Sequence, residues 1–457
     1  MNVKWIKIRK IVIILGWLLL WQFISMGVGN KILLVGPIET LLTLLKLLTH
    51  GEFWGACMGS LLRITLGFVT GMLLGVFLAG KSAKYSWLEE ILAPVMTFIK
   101  AVPVASFVVI FLIWWGSARL AAVISFCMVF PNLYINTLEG IKSTDKKLLE
   151  MAQVFRVSGK NRFFYIYRPA MKPFLDSAVK VSAGMSWKSG VAAEVIGLPT
   201  HAIGEQLYLS KIYLDTAGVL AWTLVIIFLS TGFEKLIMYL WRRFCEWEPY
   251  CQDRGAFARN SCVEDSDKKN SFNKHSLKSA DTERQPVTLT QITKRYGEQT
   301  VINNLTVEYL PNNSYYLNSP SGSGKTTLLR ILAGLEKPDA GVVEKGGQSV
   351  AFLFQEDRLC EQYSAIKNVE LVTGNREVAK LHLLQLLEED DLEKPCSALS
   401  GGMKRRVAIA RTMAVAADLI LLDEPYNGLD EVNRIRVREY IKKYSEGSII
   451  LIASHIV

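Results

Sequence analysis

The 457-residue chain has few of the residues that organise small secreted or zinc-bound proteins: it holds 7 cysteines and 5 histidines. The cysteines (Cys57, Cys127, Cys245, Cys251, Cys262, Cys360 and Cys396) stand at irregular spacings, which argues against a disulfide framework. Cys245, Cys251 and Cys262 lie close together, but the spacing matches no zinc pattern and no histidine is placed to complete one. No small-residue cleavage site follows the first apolar run, Ile11 to Met26, behind the basic stretch Lys4 to Lys10. The expectation is therefore a retained first span rather than a signal peptide. Long apolar runs are missing too, but only from the second half.

That asymmetry is the main message of the composition. Half of the residues are hydrophobic and the mean hydropathy is positive, and almost all of the excess lies before residue 245. Such a shift within one chain marks a membrane domain joined to a soluble one. The net charge of +10 then belongs to cytoplasmic loops of a membrane protein and not to nucleic-acid binding.

Apolar stretches recur at 11–27, 60–80, 91–115, 119–137, 174–197 and 217–241, each near the roughly 20 residues a helix needs to cross the hydrocarbon core. With the N-terminus inside, the inner segments hold Lys4, Lys7, Arg9, Lys10, Lys81, Lys84, Arg242, Arg243 and a basic loop at 138–172. The outer ones hold Lys31, Lys46, Arg63, Arg119 and Lys211. Six spans with both ends cytoplasmic fit this bias and deliver residue 245 to the cytoplasm, the plasma (inner) membrane being the expected location. Lys100, Lys180, Lys188 and Glu194 fall within spans, where a charge costs about 2.5–3.5 kcal/mol. Two readings stay open: a pathway for an anionic solute, or snorkelling with a Lys188–Glu194 pair.

The loop at 138–172 carries eight basic residues (Lys142, Lys146, Lys147, Arg156, Lys160, Arg162, Arg168 and Lys172). An amphipathic helix there can dock on a soluble domain and pass motion to the spans; the plain alternative is an ordinary positive-inside loop. Glu150, Ala152 and Pro169 resemble the coupling loop of bacterial ABC importer permeases, with Met151 and Arg156 standing where that family has a small residue and glycine. Residues 245–285 are mixed polar and charged with few large apolar side chains, and read as a flexible linker.

From Val287 on, short β-branched runs alternate with helical patterns, the rhythm of an α/β domain with a mostly parallel sheet. A strand from Ser314 leads into Ser319-Pro320-Ser321-Gly322-Ser323-Gly324-Lys325-Thr326-Thr327. This is a phosphate loop, whose backbone amides and following helix N-terminus cradle phosphate. Lys325 reaches the β and γ phosphates and Thr326 holds magnesium; Ser319 takes the place of the usual glycine, and slight strain is expected there. Leu419 to Leu422 form a buried strand ending in Asp423-Glu424. A carboxylate there suits general-base work.

In this order the elements resemble ABC ATPases across 287–457. The resemblance implies that Tyr296 stacks on adenine and that Gln355 contacts Mg2+ and water. Leu399-Ser400-Gly401-Gly402-Met403 resembles the family signature, with Met403 for the usual Gln. It implies a second anion site at Ser400, Gly401 and Gly402, aimed at ATP held by a partner subunit. By the same resemblance Asp423 holds Mg2+ through water, Glu424 polarises the attacking water, Asp430 signals across a dimer, and His455 is the switch histidine. The sequence stops at Val457, immediately after His455, and a shorter, less stable ATPase is the expectation.

The whole therefore reads as an all-α, six-span permease domain (1–244), the linker, and an α/β P-loop ABC ATPase domain (286–457) using ATP and Mg2+, assembled as a homodimer. Trp187 to Gly197 (WKSGVAAEVIG) resembles the fifth span of nitrate, sulfonate and taurine importers, which implies import with an extracellular substrate-binding protein. The expected solute is a small anion or a thiamine-precursor pyrimidine. Two rivals are an exporter half-transporter and a membrane-tethered regulatory ATPase, the latter motivated by Ser319, Met403 and the stop at Val457.

Overall fold

Glycine and proline shape the apolar half. The computed structural model describes residues 3–246, 285–320 and 322–454; the greater part of the 245–285 linker, with Cys251 and Cys262, together with Ser321 and His455 lie outside the described residues. The chain divides into two compact units, one of Met1–Ser143 with Ala170–Trp247, the other of Thr144–Pro169 with Glu248–Val457.

The first unit contains α1 (Val3–Val28), α2 (Pro37–Leu47), α3 (Gly51–Lys84), α4 (Ser86–Ala101), α5 (Val104–Trp115) and α6 (Ser117–Lys142). After α7 (Lys146–Val154) and α8 (Gly159–Arg162), both of the second unit, come α9 (Arg168–Gly197), α10 (Ile203–Ile212) and α11 (Thr216–Glu246). The close pair is α3 with α6. Gly67, Gly71 and Gly75 repeat every four residues and so share one face of α3. A Cβ on Gly67 would sit 2.1 Å from the Ala122 carbonyl oxygen, and one on Gly75 2.9 Å from that of Phe130. In lipid, where apolar burial no longer drives association, such small-residue stripes let backbones approach. Gly67→Val is expected to destabilise the unit by about 1–3 kcal/mol through overpacking, read as a lowered thermal midpoint in detergent. Gly80→Ala, which meets nothing within 4 Å, should be neutral; equal effects would remove the packing argument.

Among the described residues, three helices are long and apolar enough to cross a membrane: Gly51–Lys84, Ser117–Lys142 and Thr216–Cys245. The stretch 91–115, read from the sequence as one span, is two helices bent by 104°. Pro103 explains the break: it has no N–H to donate and it drives Val102 into extended backbone (φ −75°, ψ 130°). Counting the bent pair as one span gives up to four. The Val12–Val28 part of α1 is apolar but shorter, and α9 carries Lys172, Asp176, Lys180, Lys188 and Glu194.

The suggested Lys188–Glu194 pair does not form. Six residues along a helix turn through about 600°, leaving the two side chains about 120° apart around its circumference. Lys188 is exposed, whereas Glu194 is fully buried. The Glu194 carboxylate accepts from Ser60 Oγ at 2.6 Å and from the Gly204 amide at 3.3 Å, with Arg63 Nη1 3.8 Å away. Ser60 Oγ in turn accepts from the Ile203 amide at 2.9 Å. Two side chains from other helices thereby cap the N-terminus of α10, where orphan amides need acceptors.

The second unit has an antiparallel sheet, in order β2-β1-β4, of β1 (Val287–Tyr296), β2 (Gln299–Tyr309) and β4 (Ala340–Glu344). Its parallel sheet runs β3-β7-β6-β5, from β3 (Ser314–Leu317), β7 (Ile449–Ala453), β6 (Leu419–Asp423) and β5 (Val350–Leu353). β6 and β7 are buried along their whole length, as expected of continuous Leu/Ile runs covered on both faces. The helices are α12 (Lys325–Leu332), α13 (Ala365–Thr373), α14 (Arg376–Leu384), α15 (Gly401–Met413) and α16 (Glu431–Tyr444). Met151, Ala152, Val154, Phe155, Val157, Tyr165 and Ile166 are part of the same hydrophobic core as the sheets.

Candidate nucleotide-binding site

The site lies beyond the carboxyl ends of parallel strands, where ligands of open α/β sheets bind. A cleft of about 370 Å³ is lined by Gly322, Ser323, Gly324, Lys325, Thr326, Thr327, Gln355, Asp423 and Glu424, together with Gln299 and Val301. The phosphate loop, the end of β5 and the end of β6 thus converge on one cleft.

Locally, the loop depends on two glycines. Gly322 and Gly324 have φ of +80° and +89°, and a Cβ on Gly324 would also come within 2.7 Å of Val301 Cγ1. Side chains are disfavoured in that region of backbone space. Ser319 is not in the left-handed region, so glycine is not demanded there. Lys325 Nζ donates to the carbonyls of Ser319 and Pro320, the latter at 3.2 Å. The amides opening α12 give the cleft a partial positive charge suited to phosphate.

Across the cleft, Thr326 Oγ1 donates to Asp423 Oδ2 at 2.9 Å. Asp423 is 2% exposed, and burial pushes its carboxyl above the usual range while the Thr326 bond pulls the other way. One hydroxyl, a buried carboxylate and the nearby Gln355 are hard oxygen donors. That sparse set fits Mg2+, which keeps several waters and takes phosphate oxygens. Glu424 stands next, with φ +49°. Its amide donates to the Ala453 carbonyl at 2.9 Å and its carboxylate accepts from Asn427 Nδ2 at 3.1 Å.

Other expected residues lie elsewhere. Tyr296 is not itself part of the lining but borders it, its side chain hydrogen-bonding Thr327; its hydroxyl donates to Glu336 and Lys294 sits 5.5 Å from its ring centroid. Ser400 caps α15, its Oγ accepting from the Met403 amide at 3.3 Å. Gly401 and Gly402 open that helix, with the Gly428 carbonyl 3.4 Å from a Cβ placed on Gly402. Asp430 caps α16, accepting from the Asn433 amide at 2.8 Å. None of these four lines the cleft.

Sequence reasoning passed over the arginines around the cleft. In the 144–169 segment, the Glu150 carboxylate accepts from Arg330 Nη1 and Nη2, both at 3.0 Å, and from Arg358 Nη1 at 2.6 Å. Arg330 stands in the last turn of the phosphate-loop helix; Arg358 follows Gln355 by three residues. The Arg330 guanidinium foremost, and Arg358 with it, holds the Glu150 carboxyl below the usual range. Met151, where the importer family has a small residue, is fully buried. Arg156, where that family has glycine, adopts φ +48°, the backbone region that favours glycine. Arg405 and Arg411 are buried, and burial pulls both guanidiniums below the usual arginine range, Arg411 to about 10. Four basic residues among the thirteen of α15, Lys404, Arg405, Arg406 and Arg411, read as a solvated helix face; nothing local distinguishes the buried ones.

The family described as ABC transporter matches residues 302–427, and that described as binding-protein-dependent transport system inner membrane component matches residues 71–244. An aliphatic sulfonates import ATP-binding protein of Rhodococcus jostii is 38% identical over 161 residues, 34% of this chain and 66% of that protein. A lantibiotic transport ATP-binding protein of Streptococcus pyogenes is 34% identical over 176 residues, 36% of this chain and 77% of the relative. A sulfate/thiosulfate import ATP-binding protein of Photorhabdus laumondii is 32% identical over 182 residues, and the chain spans only 50% of its length. The cleft, its phosphate loop and these matches agree, and the chain belongs to the ABC transporters: one polypeptide joins a binding-protein-dependent inner-membrane component to an ATP-binding ABC ATPase.

Proposed function

We propose that this chain is one half of an ATP-driven importer of a small anion, a sulfonate being the first candidate, working as a homodimer with an external substrate-binding protein. The observation that carries the reading is the placement of Glu150. A segment inserted between α6 and α9 of the membrane unit folds into the ATPase core and grips the ends of the two elements that bear Lys325 and Gln355. Relatives named for sulfonate and sulfate import support the direction and the solute class. In this reading residues 1–244 are the permease, with six spans and both termini cytoplasmic, 245–285 the linker and 286–457 the ATPase.

Hydrolysis then needs two copies. Ser400, Gly401 and Gly402 face the γ-phosphate of ATP held by the other copy, and Asp430 lies on the same dimer face. Within one copy, the loop amides of Gly322 to Thr327 and Lys325 bind phosphate, while Thr326, Asp423 and Gln355 would hold Mg2+, which neutralises phosphate charge when bound. Glu424 accepts the proton of the attacking water. ATP favours the closed pair over the open one, and the Glu150 segment carries that difference into the spans. Lys100, Lys180 and Lys188, all exposed on the membrane unit, are candidates for the anion path.

Uptake by cells producing the chain together with its binding protein tests the reading. Labelled alkanesulfonate should accumulate, and Lys325→Ala should abolish it. No uptake of alkanesulfonate, sulfate or nitrate by a chain that still turns over ATP would sink the importer reading. Anion uptake unchanged in Lys188→Met would take that lysine out of the path.

A further inference from the structure

One buried side chain binds the two halves of the catalytic cleft together. Arg405 is 4% exposed and sits on α15, five residues after Ser400. Its Nη1 donates to the carbonyls of Phe354 at 2.7 Å and Gln355 at 3.2 Å, and to Asp357 Oδ1 at 3.1 Å. Its Nη2 donates to the carbonyls of Asp423 at 2.7 Å and Glu424 at 2.8 Å. A planar fork can serve two such sets of acceptors at once; a lysine ammonium cannot span them.

The acceptors matter because Glu424 is held in left-handed backbone, φ +49°. Such strain persists only when the surroundings over-determine it. Its amide is tied to Ala453 and its carbonyl to Arg405, so both peptide groups flanking the strained residue are pinned. The Phe354–Arg358 segment is equally tied on its other side. Arg411 donates to the carbonyls of Asp357 at 2.8 Å and Arg358 at 2.7 Å, and packs 5.5 Å from the Phe155 ring centroid; the Arg358 side chain grips Glu150.

We propose that Arg405 is a positioning residue that keeps the Glu424 carboxylate aimed at the attacking water, in register with the Phe354–Arg358 segment. Base geometry then depends on where the docked 144–169 segment holds that stretch. The inference rests on Glu424 being the base. Without Arg405, Glu424 relaxes toward negative φ, its carboxylate swings off line, and the phosphate loop on the opposite wall is left as it was.

The test is steady-state ATP hydrolysis by the full chain in lipid, with binding of a fluorescent ATP analogue measured in parallel. Arg405→Gln is expected to lower kcat by about 100-fold, the scale of a 1 Å misplacement, with nucleotide affinity and KM within a few-fold of wild type. Arg405→Lys should recover only part of the loss and serves if the Gln variant does not fold. In a Glu424→Gln background, Arg405→Gln should remove little further turnover, because no base remains to be aimed. Wild-type kcat in Arg405→Gln, a kcat loss matched by lost nucleotide affinity, full additivity with Glu424→Gln, or failure of both Arg405 variants to bind nucleotide would each overturn the proposal. The base assignment fails separately, if Glu424→Gln alone keeps its turnover.

Discussion

Glu424→Gln is expected to lower ATP turnover by about 10²–10⁴-fold, the usual contribution of a positioned general base, while the protein still binds nucleotide. The swap isolates basicity. An amide oxygen keeps the size of the side chain and still accepts from Asn427 Nδ2, 3.1 Å away in the carboxylate form. The backbone ties to Ala453 and Arg405 are untouched. On the transition-state scale the loss corresponds to about 3–5 kcal/mol, far more than any change in packing here could supply. Phosphate release by the full chain in lipid, beside direct nucleotide binding, measures it. Turnover within a few-fold of wild type would assign the proton to another group.

Glu150→Gln should separate hydrolysis from transport. Its carboxylate neutralises two guanidiniums from different elements, Arg330 and Arg358. A glutamine can accept a bond from one but leaves Arg358 without its counter-ion and Arg330 with Glu336 alone, 3.4 Å from its Nε. We expect solute uptake to fall by about 5–150-fold, the range of a typical coupling energy, with ATP turnover changed far less. Its pH dependence has a definite sign. Because the folded-state pKa is lowered, chiefly by Arg330, the contribution is fully present above the unfolded value, about 4.3. It is lost as pH falls through the lower folded value. Coupling therefore holds across neutral pH, and the partial exposure of Glu150 keeps its share of overall stability small. Equal losses of uptake and turnover would mean that Glu150 serves the ATPase fold rather than its link to the spans.

The two predictions draw on differently legible parts of the molecule. Glu424 could be read from the sequence because a buried strand, Asp423-Glu424 and a glycine-bearing loop are written within a few residues of one another. The phosphate loop was legible for the same reason: left-handed backbone at Gly322 and Gly324 is a local demand that only certain residues meet. Pro103, visible in the sequence, marks the place where a single apolar stretch becomes two helices.

The arginines were not legible. Arg405 reaches partners 48–51 positions before it and 18–19 after it, and Glu194 finds Ser60 134 positions away rather than Lys188 on its own helix. Nothing in the identity of a charged residue says whether it will meet water or a buried carbonyl; burial is a property of the packed chain.

The sequence by itself determined the two-part build, the apolar stretches and the phosphate-binding chemistry, since hydropathy over twenty residues and backbone preference over nine are short-range properties. Only the tertiary structure decided which charges pair, how the 144–169 segment joins the ATPase core, and which side chain holds Glu424 in strained backbone. Those outcomes depend on the desolvation and geometry of groups that meet after the chain has folded.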